Sequence, residues 1–323
     1  MTKKYKVVVT RRIPEAGLRL LKKAGFEVKV SPYDRILTRQ ELKKFVRGAD
    51  AILSLLTDKI DGEILDAAGS QLKIVANYAV GYDNFNIDDF KARKVYATNT
   101  PGVLTETVAE HTIGLLFAIA QRIVEADEFV RQNKFRGWEP MLFLGTDIRN
   151  KTLGIVGLGR IGGEVAKRMR DGFGLKIIYF DAMRNKSLEK QLGIQYTPFK
   201  SLLKQSDFIS IHVPLTLKTK HMFTLKEFRM MKPTAYIINT SRGAVIKEED
   251  LAKALKAKII AGAALDVYEF EPKITPDLLK LPNTVLLPHI ASASIETRSK
   301  MAEMAAKNII SVLRGKKPIN PIF

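Results

Sequence analysis

The sequence predicts an α/β protein built from two doubly wound parallel sheets. Three observations lead there. Short β-branched and apolar runs alternate with helix-patterned segments along nearly the whole chain, the order that lays helices on both faces of a parallel sheet. One such run, Thr152-Leu153-Gly154-Ile155-Val156, passes straight into Gly157-Leu158-Gly159-Arg160-Ile161-Gly162-Gly163 and then a helix-patterned segment over 164–170, which reads as strand, glycine turn, helix. The chain has 323 residues, enough for two domains with separate cores.

In the first third, strands are expected at 6–10, 26–30, 51–56, 72–76 and 95–99. Helices are expected at 14–24, with Pro14 at the start, at 38–46, capped by Thr38, and at 61–67, since proline and threonine suit those opening positions. Thr100-Pro101-Gly102 then breaks the pattern. A single long helix is expected over 105–131, opened by Thr105 or by Thr107 with Glu110 three residues on. Its stretch 113–119 is apolar on most sides, so burial against another domain or subunit is expected. Residues 133–145 read as a loop holding Phe135, Phe143 and the only tryptophan, Trp138. Further strands are expected at 175–180, 208–213, 235–239, 259–265 and 284–287, with a helix at 248–255 between two of them. The amphipathic helix at 295–313 comes after that sheet is complete and is expected to return to the first domain.

Composition narrows the class. Glycine, proline and charged content are those of an ordinary globular chain. With no cysteine, disulfide scaffolds, thiolate metal sites and cysteine nucleophiles are excluded, and a reducing compartment fits. The N-terminal residues run directly into a strand-like segment, too short for a signal sequence, and no apolar run is long enough to span a bilayer. A soluble, cytoplasmic protein without a membrane partner is expected. The formal charge of +19 would suit nucleic acid if it were clustered. The lysines are instead spread over nearly every segment, so no nucleic-acid partner is expected and a general attraction for anionic metabolites is. No His-rich or acidic cluster has metal-ligand spacing, and no metal is expected.

The glycine turn carries the first chemical signal. In G-x-G-x-x-G, Gly157 permits a tight turn, Gly159 lets backbone approach a pyrophosphate, and Gly162 permits close helix–strand packing. Arg160 and Ile161 open the helix, whose free N–H groups and positive dipole end favour an anion. Such a turn is weak evidence alone. Here a second apolar strand follows and ends in Asp181, about 20 residues past the glycines, where a carboxylate can accept from ribose hydroxyls. A 2′-phosphate would meet like charge there, so NAD is expected over NADP, although Arg184 is an arginine near the same corner that can pair with such a phosphate.

Three later segments end strands in polar residues, at the carboxyl edge where open α/β sheets bind ligands. They are Asn239-Thr240-Ser241-Arg242-Gly243, Asp266-Val267-Tyr268-Glu269-Phe270-Glu271-Pro272 and Pro288-His289-Ile290-Ala291-Ser292. Arginine can grip a carboxylate with its planar fork, histidine can move a hydroxyl proton, and glutamate can orient the imidazole. Taken singly, Arg242 reads as a surface ion pair, Glu271 as a solvated loop acid and His289 as a turn histidine. His212, before Val213-Pro214, lies beside the expected cofactor groove, while His111 and His221 read as structural.

Together, the glycine turn, Ser241-Arg242-Gly243, Glu271-Pro272 and Pro288-His289-Ile290 resemble, in order over nearly the whole chain, the linked motifs of the D-isomer-specific 2-hydroxyacid dehydrogenase family. That resemblance implies Arg242 as the substrate anchor, His289 as acid/base, Glu271 as its partner, and Asp266 as a contact to the nicotinamide amide. Val213, Pro214 and Thr240 join the cofactor set. It also implies a Rossmann nucleotide-binding domain, 104–292, inserted into a flavodoxin-like substrate domain made of 1–103 and the returning helix 293–323. Within the family, residues 77–84 and 135–140 are most similar to glyoxylate/hydroxypyruvate reductases. The Val80-Gly81 turn is then expected to offer N–H groups to a substrate carboxylate. Trp138 is expected to line a partner subunit's pocket across a homodimer, or else to pack at the interface. The expected activity is NAD(H)-dependent reduction of a small 2-oxo acid to the D-2-hydroxy acid. Alternatives are a nucleotide-sensing binding protein or corepressor of the same fold, and a family dehydrogenase for another substrate such as phosphite or D-lactate.

Overall fold

The computed structural model describes residues 4–323. The chain divides into two compact units, one made of Met1–Leu104 with Ala293–Phe323, the other of Thr105–Ser292. In the first, β1 (Lys6–Val9), β2 (Glu27–Val30), β3 (Ala51–Ser54), β4 (Ile74–Asn77) and β5 (Tyr96–Thr98) alternate with α1 (Glu15–Lys23), α2 (Arg39–Phe45), α3 (Gly62–Ala68) and α4 (Ile87–Arg93). The second opens with α5 (Thr105–Ala120) and α6 (Ile123–Arg131). Its strands are β6 (Thr152–Val156), β7 (Lys176–Phe180), β8 (Gln195–Tyr196), β9 (Phe208–Ile211), β10 (Tyr236–Asn239), β11 (Gly262–Leu265) and β12 (Thr284–Leu286). Among them lie α7 (Arg160–Phe173), α8 (Lys186–Leu192), α9 (Phe199–Gln205), α10 (Leu225–Phe228) and α11 (Glu248–Lys256), and α12 (Ile295–Leu313) closes the chain in the first unit.

Both sheets are parallel throughout. The first has the order β2-β1-β3-β4-β5 and the second β12-β11-β10-β9-β6-β7-β8, the flavodoxin-like and the nucleotide-binding doubly wound orders. Fully buried β3, β4, β9 and β11 are what helices on both faces require. Alternation sorts the side chains. Ile209, Ile211, Ile237, Ala263 and Leu265 join the core on one face of the seven-stranded sheet, while Phe208, Ile238 and Ala264 join the core on the other. In the first unit, α12 packs on α1, β3 and β4. A Cβ added at Gly17 of α1 would lie 2.5 Å from the Ala302 carbonyl oxygen of α12, so glycine there permits the helices' close approach.

The helix expected over 105–131 is two helices. Ala120's carbonyl would accept from Val124 in an unbroken helix, but it accepts from Thr146 N–H at 2.8 Å, and the Gln121 side chain donates to Thr146's carbonyl at 2.9 Å. Arg122 turns into the left-handed region, φ 55°. Because α5 starts at Thr105, Thr107 lies inside it and is not its cap. The apolar stretch at 113–119 is covered within its own unit, by α7, β10, β11 and β12. Helix α7 starts earlier than the expected 164–170, because Gly162 and Gly163 look like loop residues in sequence, and α4, α8, β8, α9 and α10 were not expected from the pattern. Among the described residues no helix is long and apolar enough to cross a membrane.

Candidate functional site

The sheet of the second unit carries the polar sequence motifs along its carboxyl edge. Reading across it, β12 leads to His289, β11 to Asp266 and Glu271, β10 to Arg242, β9 to Val213 and Pro214, β6 to Gly157, and β7 to Asp181. Strand order reverses between β9 and β6, the switch point where such sheets open a crevice.

At that point Gly157 takes φ 98°, and a Cβ on it would lie 2.8 Å from the His212 carbonyl carbon. A Cβ on Gly162 would lie 2.1 Å from the Gly157 carbonyl oxygen, whereas at Gly159 a Cβ meets nothing within 4 Å. Two glycines thus close the turn against the sheet, and the third leaves open space in front of the first turn of α7, where free N–H groups and the dipole favour an anion. Arg160 and Ile161 belong to that turn. Asp181 accepts from Leu158 N–H at 2.7 Å and Met183 N–H at 3.2 Å, tying the end of β7 to the glycine turn with lone pairs left for hydroxyl donors. Arg184 is engaged elsewhere. It forms a two-pronged pair with Glu189 at 2.7 and 2.8 Å and lies over the Tyr196 ring. Arg184, and after it the Tyr179 hydroxyl, hold Glu189 down to about 2. These features fit a dinucleotide.

His212 Nε2 sits 2.8 Å from Ser210 Oγ. Loss of water around the ring pushes its pKa down to about 3, so it is neutral near pH 7 and supplies no charge. Thr112 Oγ1 donates to the Val108 carbonyl at 2.7 Å, so the 2.8 Å contact between the Thr112 and Thr240 hydroxyls has Thr240 donating.

The acid–base pair is assembled by loop contacts. His289 Nδ1 lies 2.8 Å from Glu271 Oε2, while Glu271 Oε1 accepts from Tyr268 N–H at 3.0 Å. Burial pushes the Tyr268 hydroxyl up, with Asp266, Glu248 and Glu271 adding to it, and this neutral hydroxyl donates to the Leu287 carbonyl at 2.9 Å. His289 is in the left-handed region, φ 56°, which costs a non-glycine residue roughly 1 kcal/mol. Asp266 holds it there. Fully buried, its carboxylate accepts from Ile290 N–H at 2.8 Å and Ala291 N–H at 2.7 Å, offsetting the cost of desolvating the charge. Arg242 joins the same assembly through Gly243. A Cβ on Gly243 would lie 1.8 Å from the Tyr268 carbonyl carbon, so the turn carrying Arg242 rests on the loop carrying Glu271. Arg242 Nη1 donates to the Ser241 carbonyl at 2.9 Å, and its own carbonyl accepts from Asn239 Nδ2 at 3.0 Å.

Val80 and Gly81 belong to the first unit, after β4. Trp138 is 85% exposed in the loop after α6. Sequence reasoning missed Tyr268 as a brace, Thr112 as the partner of Thr240, and the placement of His111, whose Nε2 is buried 3.6 Å from Asp266 Oδ1. Nothing in the chain order signals a pairing of residue 111 with residue 266.

Residues 113–291 match the model of the D-isomer specific 2-hydroxyacid dehydrogenase, NAD binding domain. A glyoxylate reductase of Korarchaeum cryptofilum is 51% identical over 320 residues, covering 98% of this chain and 95% of the relative. One from Thermococcus litoralis is 50% identical over 321 residues, covering 98% and 96%. Among solved structures, a protein from Thermus thermophilus matches at TM-score 0.92 and 39% identity, covering 98% of this chain and 100% of that one. The NADPH-dependent glyoxylate/hydroxypyruvate reductase of Sinorhizobium meliloti, solved with NADP and malonate, matches at TM-score 0.87 and 31% identity, covering 99% and 97%.

Proposed function

Since the chain belongs to the D-isomer-specific 2-hydroxyacid dehydrogenase family, we propose that it reduces a small 2-oxo acid, glyoxylate or hydroxypyruvate, to the D-2-hydroxy acid. The observation that carries this is the His289–Glu271 pair at 2.8 Å, on the same sheet edge as an open glycine turn. Relatives named glyoxylate reductase at 51% and 50% identity favour glyoxylate within the class.

A nicotinamide cofactor, when bound, supplies the hydride to the carbonyl carbon. The first turn of α7, with Gly157, Gly159, Arg160, Ile161 and Gly162, would hold the pyrophosphate. Asp181 would take the adenosine ribose. Val213, Pro214 and Thr240 would line the path toward the nicotinamide, and Asp266, the proposed contact to its carboxamide, is engaged by the Ile290 and Ala291 N–H groups. With Nδ1–H donated to Glu271, His289 would present Nε2 to the substrate, and in the imidazolium form that nitrogen would give its proton to the carbonyl oxygen. Glu271 orients the ring. Arg242 anchors the substrate carboxylate with its guanidinium, and the amides of the Val80–Gly81 turn donate to the carboxylate.

NADH is the proposed cofactor, because the Asp181 carboxylate repels a 2′-phosphate and Arg184 is already paired with Glu189. The Sinorhizobium relative is NADPH-dependent, so membership of the family does not by itself fix the cofactor. A homodimer is proposed from the run of exposed apolar side chains over 130–144, Val130, Phe135, Trp138, Met141 and Leu144, with Trp138 reaching the partner's substrate pocket. Assay of glyoxylate, hydroxypyruvate and pyruvate with NADH and NADPH tests the proposal. Efficient turnover of glyoxylate or hydroxypyruvate with NADH is expected, and absence of turnover on all three would refute it.

A further inference from the structure

Two residues before Glu271, the same loop carries a second histidine–glutamate pair. His221 Nε2 lies 2.5 Å from Glu269 Oε1, and because an ionised carboxylate only accepts, that nitrogen carries the proton. The Glu269 side chain is 7% exposed, and its other oxygen accepts from Glu248 N–H at 3.0 Å. Glu248 answers in kind. Buried at the start of α11, its carboxylate accepts from Glu269 N–H at 2.8 Å on one oxygen and from Thr275 N–H on the other. Glu248 therefore pins the loop at residues 269 and 275, and Glu271 lies between the two pins.

His221 ties this clamp to a further segment through its backbone. Its own N–H donates to the Ala244 carbonyl at 2.8 Å, in the short turn that follows Arg242. It sits in the left-handed region, φ 53°, as His289 does, and such a conformation persists in a non-glycine residue when its surroundings fix it. Closing a loop does not require buried carboxylates, since apolar contacts would serve without the cost of taking charges out of water. What charge-assisted hydrogen bonds add is direction, because each sets one atom of the loop at a defined distance and angle.

We infer that His221 is a positioning residue which, through Glu269 and Glu248, fixes the loop so that the Glu271 carboxylate stands at His289 Nδ1. This rests on the activity proposed above. His221 gives no proton to the substrate; its side chain acts through Glu269, two residues along the chain from Glu271. Replacing that side chain breaks the contact with Glu269 and leaves the backbone bond to Ala244 in place.

The test uses the full chain and a double-mutant cycle. His221→Ala is expected to lower kcat/KM for glyoxylate about tenfold, part of the roughly hundredfold that misplacing a catalytic group by an ångström costs, while NADH affinity stays within about twofold of wild type. His221→Gln, which restores a side-chain N–H donor, is expected within about threefold of wild type. In a Glu271→Ala background the same His221→Ala change is expected to alter kcat/KM by less than about twofold, because the group it positions is gone. An unchanged kcat/KM in His221→Ala overturns the inference, even if the midpoint of thermal unfolding falls. So does a His221→Gln variant no better than His221→Ala, a parallel loss of NADH affinity, or the same tenfold loss in the Glu271→Ala background, since each would mean a general structural effect. Should His221→Ala be too unstable to assay, Glu269→Gln keeps the side chain's shape, removes its charge, and is read in the same cycle. Wild-type enzyme that turns over no 2-oxo acid overturns the proposed activity instead, whereas active wild type with an indifferent variant overturns only this inference.

Discussion

At the scale of single residues, one carboxylate is proposed for each end of the dinucleotide site. Asp266 sets geometry. Its two oxygens take the N–H groups that follow His289 and so keep a strained histidine in place. Asp181 faces the other end and is tied to the glycine turn through Leu158 N–H. Removing its charge would remove both the proposed ribose acceptor and the proposed repulsion of a 2′-phosphate. Asp181→Ala is therefore expected to lower the NADH-to-NADPH ratio of kcat/KM by about tenfold, the worth of one charge-assisted hydrogen bond. Steady-state kinetics with both cofactors measures this, and an unchanged ratio would place the discrimination elsewhere. His212, held at about 3 by loss of water, stays neutral across the working range and contributes nothing to a pH profile between about 5 and 8.

At the scale of elements, close backbone approach recurs where motifs meet. Gly17 lets α1 lie against the Ala302 carbonyl of α12, Gly162 lets α7 lie on the glycine turn, and Gly243 lets the Arg242 turn lie on Tyr268. Gly17→Ala tests the first of these away from the chemistry. Its Cβ would meet backbone at 2.5 Å, so a loss of about 1–3 kcal/mol is expected from forcing the helices apart. Urea denaturation followed by circular dichroism reads it, and an unchanged midpoint would mean that the helices part freely. Most strands and the long helices were legible in the sequence because β-branched runs and caps such as Thr38 and Asp61 act locally. The break at Arg122 was not. It depends on Thr146, distant in sequence, capturing the Ala120 carbonyl. Likewise Arg242, Glu271 and His289 were legible as motifs at strand ends, while the contacts that hold them, through Tyr268 and Gly243, come from packing between loops. The two-residue β8 and one-turn α10 carry too little pattern to be read.

At the scale of the whole molecule, part of the basic charge behind the net +19 is engaged in surface ion pairs, such as Arg39 with Asp61 and Glu63 and Arg93 with Asp66 and Asp89. The excess raises the local concentration of small anions. The exposed apolar run over 130–144 has no comparable explanation in the monomer. A homodimer is expected by analytical ultracentrifugation, and Trp138→Ala is expected to change the ratio of glyoxylate to hydroxypyruvate efficiency by more than about threefold while NADH affinity holds, because one indole offers a small ligand only modest apolar contact. A fully active monomer, or unchanged specificity in an intact mutant dimer, would rule out the cross-subunit role.

The most direct measurement compares wild type with His289→Ala in two assays, glyoxylate reduction and NADH binding. Removing a positioned general acid costs roughly 10²- to 10⁴-fold, whereas the groups proposed to hold the pyrophosphate lie on β6 and α7, across the sheet from β12. The expected result is loss of at least about a hundredfold in kcat/KM, with NADH still bound within about threefold of wild-type affinity, since no hydrogen bond to the cofactor is lost. A His289→Ala protein that reduces glyoxylate at the wild-type rate would contradict the mechanism, and a wild type that binds NADH but reduces no 2-oxo acid would contradict the enzyme reading itself.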